Sequence, residues 1–210
     1  MFNKFKTDLN NAKEAEKIVR EVLQCMTDNY CFTDVSDAKE CWHLGDIEVN
    51  HSYCAYCDRY DINHMYDSDC NQLSYEEFEF NNSNYFIDVK DDKRIGDTGN
   101  ILCEERVYYR KYCELVEGFM YSHYDYLAVV SKKEKRIYIL DFHLLQKHYR
   151  QGRKIRLSYT EQWSDVYLYS LDKAKENGIL LVTIEYENDN NNFYPLDLVY
   201  KKDNLIINTY

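Results

Sequence analysis

Apolar residues at Ala12, Ala15, Ile18, Val19, Val22 and Leu23 fall on one arc at 100° per residue. This predicts an amphipathic helix over residues 8–24, capped by Thr7 or Asp8. Glu16 borders the apolar arc, whereas Glu14 and Glu21 face away from it. Farther along the chain the period shortens to two. Gly45-Asp46-Ile47-Glu48-Val49 predicts a short strand entered through a glycine, and residues 75–80 and 85–90 around Asn81-Asn82-Ser83-Asn84 predict a β-hairpin. Residues 101–103, 107–109, 126–130 and 136–142 predict further strands, the last two joined by a charged turn. Residues 143–149 predict a short helix ended by Gly152, and 164–176 a second helix stopped by Asn177-Gly178. Residues 179–186 predict a buried strand, and an Asn-rich turn with two strand-like pieces follows. A helix, several strands and then a helix is the order of an α/β or α+β domain built on a mixed sheet.

The 210 residues include only one proline and six glycines, and 45% are hydrophobic, so a single domain spanning 1–210 with a substantial core is expected. An irregular stretch at about 51–74, rich in Tyr, Asp, His and Cys, reads as an insertion into that domain. No apolar run approaches the roughly 18 residues of a membrane span, and no apolar segment follows the N-terminal Met1–Lys6. Together these predict a cytoplasmic protein without a membrane partner.

Eight cysteines without a secretory leader point to reduced thiols or a metal site rather than to a disulfide framework. Cys54-x-x-Cys57 has chelating spacing and Cys41-x-His43 offers a looser second pair, which makes a Zn²⁺ site one reading of the insertion. Reduced, partly buried cysteines are the other.

Charge is uneven. The net charge is −11, yet Lys132 to Arg156 carries nine basic residues against Glu134 and Asp141, which leaves −18 on the remainder. Lys132, Lys133, Lys135 and Arg136, with Arg150, Arg153, Lys154 and Arg156, are therefore candidate contacts to a nucleic-acid backbone. A hairpin tip followed by a solvated helix face would give the same pattern.

The chemistry concentrates between Phe86 and Glu105. On a strand, Asp88 and Lys90 share a face and Val89 points the other way, into the core. An acid beside a lysine becomes functional when a divalent metal joins them, because the carboxylate helps to hold Mg²⁺ and the ammonium stabilises charge developing on a phosphate. Such a site needs a second carboxylate. Asp46 is the best placed candidate, with Asp61 and Asp69 as rivals.

The run Asp88-Val89-Lys90, then Asp92, Arg94, Thr98-Gly99-Asn100 and Glu104, resembles the PD-(D/E)XK nuclease superfamily, and in particular its phage-type members. Gly118-Phe119 and Ser122–Tyr126 extend the resemblance, and Glu16 matches a glutamate that many members carry on their first helix. Asp88 stands where Glu is commoner, and Asp46 precedes it by 42 residues because the Cys/His-rich stretch intervenes.

The resemblance implies a restriction-endonuclease-like fold, a mixed central sheet flanked by helices and interrupted by the Cys/His-rich insertion. It also implies metal-dependent phosphodiester hydrolysis, of DNA more than RNA. Asp46 and Asp88 would ligate Mg²⁺ or Mn²⁺ with the Val89 backbone carbonyl, Lys90 would orient water, and Glu16 would complete the site. Asp92, Arg94, Thr98, Gly99, Asn100 and Glu104 would form the supporting loop. An alternative is a catalytically silent protein of the same fold, phage-encoded and acting in the host cytoplasm as a binding or inhibitory module. Its partner would be a protein, a nucleic acid or, in a homodimer, a second copy of the chain.

Overall fold

The computed structural model describes residues 2–26, 30–36, 45–51 and 85–202. Helix α1 (Phe2–Met26) leads into β1 (Tyr30–Asp34), β2 (Ile47–His51) and β3 (Tyr85–Asp91). A short helix α2 (Ile95–Thr98), β4 (Asn100–Tyr109), β5 (Glu114–Glu117) and a 3-10 turn at Phe119–Tyr121 follow. Strands β6 (Tyr126–Ser131) and β7 (Arg136–Asp141) precede α3 (Phe142–His148) and a second 3-10 turn at Tyr149–Gln151. The chain continues through β8 (Arg153–Ser158), β9 (Gln162–Ser170), α4 (Leu171–Glu176), β10 (Leu180–Asp189) and β11 (Asn192–Lys201).

Among the described residues the strands form two sheets. The larger has the order β1-β2-β3-β6-β7-β10-β11 and the smaller β5-β4-β9-β8. β1, β2 and β3 are antiparallel neighbours, whereas β3 pairs parallel with β6. The excursion through β4 and β5 supplies the crossover that a parallel pair requires.

Period-two alternation divides the large sheet into two apolar faces. One face, with Ile87, Val89, Ala128, Val130 and Ile137, packs against Ala15, Ile18, Val19 and Val22 of α1. The opposite face, with Leu127, Val129, Tyr138 and Leu140, meets Ile101, Cys103 and Tyr169 of the small sheet. The layers therefore run helix, large sheet, small sheet. Asp88 and Lys90, alternating with Val89, lie on the side of the small sheet.

The amphipathic helix forms as its pattern predicts and extends to Phe2 and Met26. The strands expected at 45–49, 85–90, 126–130 and 136–142 appear with shifts of a residue or two. The pieces expected at 101–103 and 107–109 are one strand, β4, bent by a bulge between Glu104 and Arg106. The Asn-rich turn is a two-residue hairpin loop in which Asn190 and Asn191 both take positive φ, 51° and 66°. That geometry matches the twist of the flanking strands, and asparagine tolerates it.

One element is corrected. Residues 164–176 are not a single helix: β9 runs to Ser170, and only Leu171–Glu176 is helical. Trp163, Tyr167 and Tyr169 favour the pleated surface, while Ser164 and Val166 are buried on its other side. Burial on both faces erases the alternation by which a strand is recognised. Ser170 then opens the helix, its hydroxyl accepting from the Asp172 and Lys173 N–H groups. β8 was hidden inside the basic segment, although Ile155 and Leu157 alternate with its charges.

Cys41, His43, Cys54 and Cys57, the rivals Asp61 and Asp69, and the strand expected at 75–80 lie outside the described residues.

Candidate active site

Asp46 reaches the site because of how β2 begins. The ladder pairs Ile47 with Ile87 and stops there, so the edge of β3 beyond Ile87 lacks a backbone neighbour from β2. Asp46 fills the gap: its N–H donates to Ile87 O at 2.9 Å and its Oδ2 accepts from the Val89 N–H at 2.8 Å. In an antiparallel ladder the N–H and C=O of one residue leave the strand on the same side, so the Val89 carbonyl projects along this edge beside Asp46. Gly45 makes the approach possible. Its φ is +135°, and a Cβ there would lie 2.9 Å from Ile87 O.

On the adjacent position of β3, Asp88 is 9% exposed, and its Oδ2 lies 2.6 Å from Lys90 Nζ. The ammonium also sits 5.3 Å from the centre of the Phe119 ring. Burial alone would lower the Lys90 pKa, but Asp88 beside it, with Asp46 and Glu104 in support, raises it. Lys90 is thus a held cation.

Asp46 shows the opposite response. Burial foremost, and then the Asp88 charge, push its carboxyl up to about 6, against the lowering effects of the Val89 N–H and Lys90. Glu16, 8% exposed on α1, adds to the repulsion. Asp46 lies at the edge of the sheet, between the face that carries Asp88 and the face covered by α1. The four residues expected from sequence to converge, Asp46, Asp88, Lys90 and Glu16, therefore influence one another here. Glu104 joins them through its effect on Lys90.

The segment after β3 is built by local bonds. Asp92 Oδ1 accepts from the Arg94 N–H at 2.8 Å, and burial raises the Asp92 pKa against this and the Ile95 N–H bond. Ile95, fully buried, anchors α2 in the core, and Gly99 ends the helix with φ 61°. Thr98 Oγ1 donates to Arg94 O at 2.9 Å, and Asn100 Nδ2 to Thr98 O at 2.6 Å. Thr98-Gly99-Asn100 is accordingly a helix stop that launches β4, a supporting role rather than a contact with the carboxylates.

Sequence reasoning missed Tyr124. Its side chain is 1% exposed and lies against Asp88; burial, then the Asp88 charge, hold the phenol firmly protonated. Its hydroxyl makes no hydrogen bond of normal geometry. The signal was present in the Ser122–Tyr126 run, where Asp125 also fastens β3 by accepting from the Phe86 N–H at 2.9 Å.

The basic segment is divided and largely neutralised. Lys132 bridges Glu14 at 2.7 Å and Asp91 at 3.4 Å, fastening α1 to the sheet. Lys133 pairs with Asp97, Lys135 with Glu187 at 3.9 Å and Arg136 with Glu185 at 2.6 Å. Arg150 and Lys154 share Glu105, at 2.8 and 3.4 Å, and Arg156 holds Asp165 at 2.8 Å. Arg153 is exposed. The first four belong to the β6–β7 hairpin, Arg150 to the 3-10 turn at Tyr149–Gln151 and the last three to β8 of the small sheet, so the run does not form one continuous footprint.

No three His, Cys, Asp or Glu side chains among the described residues form a ready-made metal cage. The residues at the site nevertheless suit Mg²⁺, which is commonly held by one or two carboxylates with water and substrate phosphate completing the shell. Val89 engages Oδ2 of Asp46 and Lys90 engages Oδ2 of Asp88. The raised Asp46 pKa reflects burial first and then the neighbouring Asp88 charge, which a cation at this edge would offset. No protein-family model, curated protein or solved structure matches this chain.

Proposed function

We propose that this protein is a divalent-metal-dependent nuclease of PD-(D/E)XK type. The observation that carries the reading is the meeting of Asp46, Asp88 and Lys90 at the edge where β2 ends beside β3. The large sheet supports it: helix α1 precedes three antiparallel strands, β6 lies parallel beside the third, and the acids stand just before the second strand and on the third.

Asp46, Asp88 and the Val89 carbonyl would hold Mg²⁺ or Mn²⁺, which when bound polarises the phosphate and acidifies water. Lys90 remains protonated, and an ammonium has donors but no acceptor. Its role is therefore to donate to the phosphate or water oxygen and to stabilise developing negative charge, rather than to remove a proton. Glu16 reinforces the negative potential that draws in the cation.

Incubation of supercoiled plasmid and single-stranded DNA with Mg²⁺ or Mn²⁺ tests the reading. Cleavage that disappears with chelator and in Lys90→Ala supports it; full activity in that variant refutes it. The neutralised basic segment and the acidic total favour one second reading, a silent scaffold that binds a basic protein. A stable protein complex in chelator, with no cleavage under any metal condition, would establish that alternative.

A further inference from the structure

We propose that the outer end of the small sheet's inner face, beyond the part packed on the large sheet through Ile101, Cys103 and Tyr169, is a docking platform for single-stranded nucleic acid. The inference rests on the nucleic-acid side of the function proposed above and adds the form of the substrate.

The register sets the platform out in rows. Tyr108, Trp163 and Ser158 lie opposite one another across β4, β9 and β8, and Arg106, Asp165 and Arg156 form the next row. Tyr167 and Lys154 face each other beyond them. Directly opposed residues, and residues two apart on one strand, share a face. Cations and rings alternate along it. Arg156 lies 3.9 Å from the centre of the Trp163 ring and Lys154 5.3 Å from Tyr167, while Arg150 covers Tyr149, which is buried in the core. Trp163 stacks on Tyr108 with centroids 5.2 Å apart and planes 22° from parallel. Arg110 reaches across to Ser158 Oγ at 3.1 Å.

Two acids position these cations. Glu105 is 3% exposed and Asp165 8%, whereas the Arg150, Lys154 and Arg156 side chains above them are more than half exposed. Glu105 accepts from Arg150 and Tyr149 at 2.9 and 3.2 Å. Asp165 is held below the ordinary carboxylate range by Arg156 foremost, then by Lys154 and Arg106. Five cations, Arg106, Arg110, Arg150, Lys154 and Arg156, thus face Glu105, Asp165 and the edge residue Glu117. On an acidic protein this face has a positive excess.

Phosphate contacts alone would suit a duplex equally well. The interleaved rings and guanidinium planes distinguish the case, because they stack on bases that only an unpaired strand exposes. β4 links the platform to the acidic site: Glu104 acts on Lys90 while the next residue, Glu105, anchors Arg150. Four residues at about 3.4 Å separate Glu104 from Tyr108, so Tyr108 lies within about 15 Å of Glu104, the residue whose charge acts on Lys90.

The test is fluorescence anisotropy with labelled oligo-dT, oligo-rU, a DNA duplex of equal length and heparin competitor, on the full chain in chelator so that nothing is cleaved. Preferential binding of a single strand, weakened about tenfold or more by Trp163→Leu and several-fold by the exposed-site double change Arg106→Gln/Arg110→Gln, supports the platform. Circular dichroism of both variants separates lost binding from lost folding, and the arginine pair keeps the test open should Trp163→Leu unfold. Equal affinity for duplex and single strand, displacement by heparin with no effect of either variant, or no binding at all overturns it. The two proposals fail separately. Plasmid cleavage without single-strand binding removes the platform alone, and binding without cleavage under any metal removes the nuclease alone. The dT and rU arms decide between DNA and RNA.

Discussion

The Asp46 side chain accepts a hydrogen bond from the Val89 backbone N–H across 43 residues of sequence, taking the place a ladder neighbour would occupy on β3. One carboxylate thus completes a sheet edge and forms half of an acidic pair. The two roles conflict electrostatically, because satisfying the backbone draws Asp46 close to Asp88.

That conflict predicts an inverted pH response in chelator. Asp46 holds its proton to about 6 in the folded chain but only to 3.8 in the unfolded one. The native state therefore binds more protons between these values, and stability falls as pH rises through that window. The shift corresponds to an upper figure of about 3 kcal/mol. Asp46→Asn keeps an oxygen for the Val89 N–H, so in urea denaturation it should exceed the parent by about 1–3 kcal/mol at pH 8 and converge with it near pH 4. An unchanged difference at both pH values would place the strain elsewhere.

Adding Mn²⁺ or Mg²⁺ at pH 8 should raise the melting temperature, by about 2.7 kcal/mol of stabilisation at a hundred times the Kd. Asp46→Asn and Asp88→Asn should abolish the increase. Lys90→Ala should retain it while slowing single-turnover cleavage about 10²–10³-fold. Lys90→Arg should not restore the rate, since a guanidinium does not reproduce a compact ammonium. Loss of metal-induced stabilisation in Lys90→Ala would contradict this division of roles.

Two glycines separate backbone strain from steric overlap. Gly45→Ala meets both a φ of +135° and a Cβ 2.9 Å from Ile87 O, whereas Gly99→Ala meets only a φ of +61° with nothing within 4 Å. Gly99→Ala should cost about 1–2 kcal/mol. Gly45→Ala should cost more and, by shifting Asp46, should also weaken the metal-induced rise in melting temperature. Equal costs with unchanged metal response would show that Gly45 does not govern the site.

Thiol accessibility offers a direct check on the fold. Cys103 is fully buried, and burial pushes its thiol well above the usual range, while Cys25 and Cys113 are exposed. Site-resolved alkylation under native conditions should label Cys25 and Cys113 rapidly and Cys103 only on unfolding. Rapid native labelling of Cys103 would mean the contact between the two sheets is not closed.

The helix face at Ala15–Val22 and the strand at Ile87–Val89 were legible because each shows one period, and Leu127–Val130 because a short unbroken aliphatic run marks a strand buried on both faces. Asp46 was legible for a local reason: a glycine before an alternating run marks a strand start, and the acid follows it. β9 was not, because both its faces are covered and its rings suit either period. The pairing of the basic residues was equally hidden. Glu105 lies 45 residues from Arg150 and Glu185 lies 49 from Arg136, so charge along the sequence overstated the free charge in space. Tyr124 could be read as part of a run, but its approach to Asp88 depends on the parallel pairing of β3 with β6.

Because the pairing of Ile47 with Ile87 fixes where Asp46 meets Asp88, the distance between these acids is set by strand register and not by the length of chain joining β2 to β3. Lengthening such a connection adds only about 0.6 kcal/mol of closure entropy per doubling. A change in the length of that connection therefore leaves the meeting of the two carboxylates to the ladder. The candidate centre is inherited through the ladder, residue pair by residue pair.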